Sequence, residues 1–187
     1  DLQLDRRLNP QTINGHLIAI RSFYRYLQDE EQLLIDNPVI PGLSLRLPKP
    51  LPRFLQDSEV RAFFSVITKR RDLAIFMLML RAGLRVEEVA NLTLGAVDHR
   101  RSQLMVRCGK GAKDRLVYLY EDVADALAAY LELRPETDEP HIFLVEKGSY
   151  KGKPLSVRGI QKRAEYYSEK CGVHVSCHQL RHTMATD

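Results

Sequence analysis

Apolar residues recur at helical spacing near the start of the chain, at Ile13, Leu17, Ile20, Tyr24 and Leu27. Asn9-Pro10-Gln11 just ahead of them reads as a helix start, with an Asn cap and a proline at the first helical position. A second helix is predicted from Asp57-Ser58-Glu59, with Val60, Phe63, Phe64 and Ile67 on its apolar side. Residues 72–80 are apolar nearly all round, which predicts a buried core helix ended by a left-handed cap at Gly83. The pattern then changes period. Residues 103–108 and 115–120 read as two strands of a hairpin around Gly109-Lys110-Gly111. Residues 122–133 form an amphipathic helical stretch, 142–145 a short strand, and a helix is predicted from near Ser156 to about Cys171. The expected fold is mainly α with one small antiparallel β-sheet, an α+β arrangement.

Prolines divide the chain. Pro38, Pro41, Pro48, Pro50 and Pro52 are five of the nine in the sequence, too dense for a helix or a central strand. The expected organisation is a short helical segment at 1–37, a stiff extended linker at 38–52, and a main domain at 53–187. The first segment is too short to close a core unaided.

Composition narrows the class. A hydrophobic content of 44% and a charged content of 28% suit a globular protein with a core. Net charge is +4, and residues 1–50 balance 6 basic against 6 acidic side chains, so the whole excess lies in the remainder. That suits a polyanionic partner. No apolar run approaches a membrane span, and no signal-peptide pattern opens the sequence. Three cysteines without framework spacing imply reduced thiols in a cytoplasmic protein.

Four residues carry candidate chemistry. Arg85 stands in Gly83-Leu84-Arg85-Val86-Glu87-Glu88, Lys110 in the predicted hairpin turn, and His178 and Arg181 three apart on one face of a predicted helix. Two arginines, a lysine and a histidine can grip a phosphate and move protons around it without a metal. Gly109-Lys110-Gly111 is not a nucleotide loop, because the lysine is not followed by Ser or Thr and the earlier glycine is missing. Cys171, His174, Cys177 and His178 do not match the spacing of a zinc site, and no cofactor or metal is expected.

From about Asn9 to the end, the sequence resembles the tyrosine recombinases, the family of phage integrases and bacterial site-specific recombinases. Gly83-Leu84-Arg85-x-x-Glu88, Gly109-Lys110-Gly111-x-Lys113-x-Arg115 and His178-x-Leu180-Arg181-His182-Thr183 follow in the family's order and rough spacing. Each is weak alone; together they are specific. The resemblance implies a recombinase catalytic domain preceded by part of a helical domain that clamps DNA. It implies that Arg85, Lys110, His178 and Arg181 are catalytic, with Glu88 orienting His178 or Arg181 and His182 supporting them. The basic excess clusters at Lys69-Arg70-Arg71, 107–115 and 147–163, where Lys113, Arg115, Lys151, Lys153, Arg158 and Lys162 are the candidates for contact with double-stranded DNA.

The reaction so implied is strand exchange through a 3′-phosphotyrosine, in the full-length protein a tetramer on paired DNA sites. The family's nucleophilic tyrosine lies some tens of residues beyond the His-x-x-Arg pair, whereas this sequence ends six residues after Arg181. The expectation is a fragment that cannot cleave DNA alone and is largely monomeric without it. Two other readings remain at this stage. One is a DNA-binding or regulatory protein that keeps the fold, and the other is a type IB topoisomerase with the same catalytic residues.

Overall fold

A computed structural model describes residues 8–47, 54–107 and 114–184. The chain forms two compact units, Asp1–Leu51 and Pro52–Asp187.

In the first unit, helix α1 spans Pro10–Asp29. It begins where the cap signal places it, with the Asn9 side chain accepting from the Gln11 amide at 2.9 Å. Residues 38–47, expected to extend as a linker, run back along α1 instead. The side-chain amide of Asn14 donates to the Leu45 carbonyl at 2.9 Å and its oxygen accepts from the Leu45 amide at 2.8 Å. Val39 is buried, and the Asn37 side chain donates to the Arg21 carbonyl. Proline denies a segment its own ladder but not its attachment to a neighbour, and a single asparagine supplies both partners here.

The second unit carries helices α2 (Asp57–Ser65), α3 (Arg70–Leu80) and α4 (Val86–Ala90). A three-stranded antiparallel sheet follows: β1 (Val97–Asp98), β2 (Gln103–Val106) and β3 (Arg115–Tyr118), in that order across the sheet. Helices α5 (Glu121–Leu131), α6 (Val157–Cys171) and α7 (Cys177–Met184) complete it. The predicted hairpin is present and shorter, and its register sets Leu104 opposite Val117 and Val106 opposite Arg115. The short third strand, β1, has no counterpart in the sequence pattern. Residues 142–145 are not a strand. Only isolated bridges form there, Thr93 with His141 and Leu144 with Pro154, while Ile142, Phe143 and Leu144 are buried.

Helix α3 is the centre of the core, packed against both α5 and α7. Phe63, Phe76 and Tyr167 meet edge to face, with ring centroids 5.2 to 6.3 Å apart. Beside these rings lies a buried ionic group. The Asp72 carboxylate, with no exposure, accepts from Arg71 through Oδ1 and from Arg163 and the Tyr167 hydroxyl through Oδ2. Arg71, one of the basic excess, is therefore committed to the interior, and Arg163, with its side chain 26% exposed, turns its guanidinium onto Asp72. Lys69 likewise pairs with Glu146. No helix among the described residues is long and apolar enough to cross a membrane.

Candidate functional site

The turn between α3 and α4 starts the site. Helix α3 stops at Leu80, and Gly83 takes φ +63, the left-handed value predicted for it. The chain then reverses directly into α4, with Arg85 at its N-cap. Glu88, three residues on, folds back so that Oε2 accepts from the Arg85 amide at 2.7 Å. Its Oε1 accepts from the Arg85 guanidinium at 3.1 Å.

Arg115 reaches the same carboxylate from β3. Its two Nη nitrogens donate to Oε1 and Oε2 of Glu88 at 2.7 and 2.8 Å. Arg181, on α7, donates through Nη1 to the Gly83 carbonyl at 2.7 Å, and the same nitrogen lies 3.7 Å from Glu88 Oε2. Three guanidinium groups from three elements thus converge on one carboxylate. Burial acts to raise the Glu88 pKa, but the hydrogen bonds from Arg115 and the Arg85 amide outweigh it and hold it at about 2. Burial lowers the Arg181 pKa, with Arg85 and Arg115 adding to the effect.

Gly83 serves this arrangement twice. It reverses the chain, and its carbonyl holds Arg181. A Cβ there would also lie 2.5 Å from Met184 Cε. Because that atom ends a flexible side chain, the backbone angle sets most of the penalty. Gly83→Ala is expected to cost about 1–2 kcal/mol in urea unfolding; an unchanged midpoint would remove the strain argument.

His178 and His182 are exposed on α7, their rings stacked with centroids 6.2 Å apart. His178 lines a cleft of about 420 Å³ with Arg158, Gln161, Glu165 and His174. Lys151 and Lys153 are exposed on the loop before α6, and Arg158 and Lys162 on α6 itself, where Arg158 meets Glu165 at 3.2 Å. Lys110 and Lys113 lie outside the described residues.

Several placements differ from expectation. Arg115, expected to face DNA, turns its fork onto Glu88. Glu88, expected to orient His178 or Arg181, forms an ion pair with Arg181 at 3.7 Å but accepts its hydrogen bonds from Arg85 and Arg115. No group of three His, Cys, Asp or Glu that could hold a metal occurs among the described residues. The Cys177 thiol is pushed up to about 11 by burial, as expected of a packing residue.

The model of the phage integrase family matches residues 53–187, the whole of the unit that carries these arginines. The chain belongs to the phage integrase family. Its curated relatives in that family include tyrosine recombinase XerA of Thermococcus onnurineus, 38% identical over 179 residues, covering 94% of this chain and 60% of the relative. Tyrosine recombinase XerC of Bacillus subtilis is 31% identical over 194 residues, covering 97% and 62%. Against these recombinases the chain spans about 60% of their length. Among solved structures, a crystal structure of XerA recombinase aligns with TM-score 0.65 and 28% identity, covering 99% of this chain and 64% of that one. The Tn1549 transposon integrase, solved in complex with circular intermediate DNA, shares the fold at TM-score 0.78 and 20% identity, covering 98% and 68%.

Proposed function

We propose that this chain is the phosphate-gripping part of a site-specific DNA recombinase that cleaves and rejoins strands through a 3′-phosphotyrosine. One observation carries the reading. Arg85 and Arg181, 96 residues apart in sequence, stand at 3.1 and 3.7 Å from a single carboxylate in a chain of the phage integrase family. In the reaction, a tyrosine hydroxyl attacks the scissile phosphorus, the 3′-phosphotyrosine bond forms, and the 5′-oxygen departs. Charge builds on the non-bridging oxygens, where two permanently charged planar forks stabilise it. Lys110 is assigned to protonate the leaving 5′-oxygen, and His178 to manage the tyrosine proton or steady the phosphorane. His182, stacked on His178, supports it. The bond energy stays in the protein–DNA link, so the chemistry as proposed uses no cofactor.

These 187 residues alone are not assigned the nucleophile. Tyr130 and Tyr167 are buried, their hydroxyls bound to the Ile142 carbonyl and to Asp72. Tyr118, Tyr120 and Tyr150 are exposed on the sheet, beside it and on the 147–153 loop, and Tyr166 stacks under Arg163. The first unit is assigned to the helical clamp domain. Double-stranded DNA is the proposed partner, with a tetramer on paired sites for the full-length protein and a monomer for this chain without DNA. A cytoplasmic location fits that role.

DNA binding tests the surface assignment. This chain is expected to bind duplex DNA with strong salt dependence and little sequence selectivity, because its contacts are to phosphates. Lys162→Ala, on the exposed face of α6, is expected to flatten the log–log salt slope by about 0.9. Arg163→Ala, whose guanidinium faces Asp72, is expected to leave the slope unchanged. A binding constant indifferent to salt would sink the reading.

A further inference from the structure

We propose that Arg115 is a positioning residue of the phosphate site, acting through Glu88 and not by contact with DNA. This rests on the phosphate-site reading above and goes beyond it.

The three guanidinium forks are used differently. Both Nη nitrogens of Arg115 donate to Glu88, at 2.7 and 2.8 Å, so its end-on edge, one of the two that can grip a phosphate bidentately, is occupied by the carboxylate. Arg85 gives Glu88 one guanidinium nitrogen, and Arg181 gives one to the Gly83 carbonyl. Each of those two commits a single nitrogen, so they keep more donors for an anion than Arg115 does. Exposure does not make this division, the side chains of Arg85, Arg115 and Arg181 being 51%, 36% and 29% exposed; the use of the forks does.

Saturation of Glu88 is the second step. A carboxylate offers about four acceptor positions. Arg115 fills two, the Arg85 amide a third and the Arg85 guanidinium a fourth. Glu88 therefore has no strong site left for Arg181, which stays at 3.7 Å. Without Arg115, two acceptor positions open beside Arg181 and Arg85. The carboxylate could then close on either arginine and compete with the phosphate they are assigned to hold. Arg115 so keeps an internal anion from neutralising the grip, and fixes the α4 N-cap that aims Arg85.

The hairpin register adds a mechanical link. Arg115 and Val106 are the last paired residues of this ladder among the described residues, so the Glu88 contact ties that end of β3 to α4. The alternation along β3 agrees: Arg115 and Val117 face inward, while Leu116 and Tyr118 face out.

Three readouts test the proposal. In this chain, Arg115→Gln is expected to raise the Glu88 carboxyl titration, followed by NMR, from about 2 toward the ordinary carboxylate range. Its DNA salt slope is expected to match the parent's, since no phosphate contact is removed. In the full-length protein, single-turnover cleavage is expected to fall about 10- to 100-fold. The Glu88→Gln/Arg115→Gln pair is expected to be no slower than the slower single variant, because both act through one contact. Arg115→Lys keeps the charge without the fork, so it controls for folding and is still expected to cleave slowly. A salt slope flatter by about 0.9 with additive cleavage losses would make Arg115 a DNA contact and overturn the proposal. So would a Glu88 titration or a cleavage rate equal to the parent's in Arg115→Gln. Failure of the underlying reading looks different: Arg85→Ala and Arg181→Ala would then cleave like the parent, whatever Arg115 does.

Discussion

Arg181→Ala in the full-length recombinase is expected to slow DNA cleavage by about 10²–10³-fold while changing DNA affinity far less. The residue is fixed before substrate arrives. Its Nη1 is held by the Gly83 carbonyl at 2.7 Å, its side chain is 29% exposed, and Glu88 stands beside it. A donor so held loses little freedom when the transition state forms, and its advantage over water is realised in rate more than in binding. Arg181→Lys is expected to recover only a small part, because one ammonium cannot reproduce a fork that meets the Gly83 carbonyl and a phosphate together. Single-turnover cleavage of a duplex nicked near the scissile phosphate measures both variants, since the covalent product is trapped. Cleavage by Arg181→Ala within a few-fold of the parent would remove Arg181 from the phosphate grip.

Asp72→Ala is expected to destabilise the second unit by roughly 3–5 kcal/mol. Asp72 has no exposure, and both its oxygens are used, by Arg71 at 2.7 and 2.9 Å and by Arg163 and Tyr167 at 2.8 and 2.9 Å. Removing it leaves Arg71, 5% exposed, with only the Leu144 carbonyl at 2.9 Å and the Glu146 carboxylate at 3.8 Å. Arg163→Ala is expected to lose less, because that side chain is 26% exposed and Asp72 retains Arg71 and Tyr167. Equilibrium unfolding in urea distinguishes the two. Equal midpoints would show that the network contributes packing alone.

Local chemistry made much of this fold legible. The Asn9-Pro10 start, the apolar run in α3, the left-handed Gly83 and the 103–118 hairpin all depend on residues within a few positions of each other. The arginines of the site were legible as types in a family pattern, and the structure brings Arg85 and Arg181 together. What the sequence concealed was pairing at a distance. Arg163 looks like a member of a basic run because its partner Asp72 lies 91 residues away. Arg115 looks like a hairpin-tip cation until the Val106 register turns it inward. Residues 142–145 have a strand's composition, but their amides and carbonyls are used singly by Leu92, Lys153 and Leu155, so no ladder forms. Prolines between 38 and 52 signalled an extended linker, and Asn14 draws its 38–47 part back along α1.

Thr183 gives the unit a property of timing. Its hydroxyl accepts from the Leu55 amide at 3.0 Å, closing a loop of 128 residues between the start of the unit and helix α7. Synthesis delivers Arg85 and Arg115 first and Arg181 last, 96 residues after Arg85. At translation speeds of about 5–20 residues per second, several seconds separate the first arginine from the last. During that interval α3 lacks α7, one of the helices packed on it, and the nascent chain holds Arg85 and Arg115 without Arg181. The cluster of arginines around Glu88 is completed only when α7 docks, so its assembly coincides with closure of the unit.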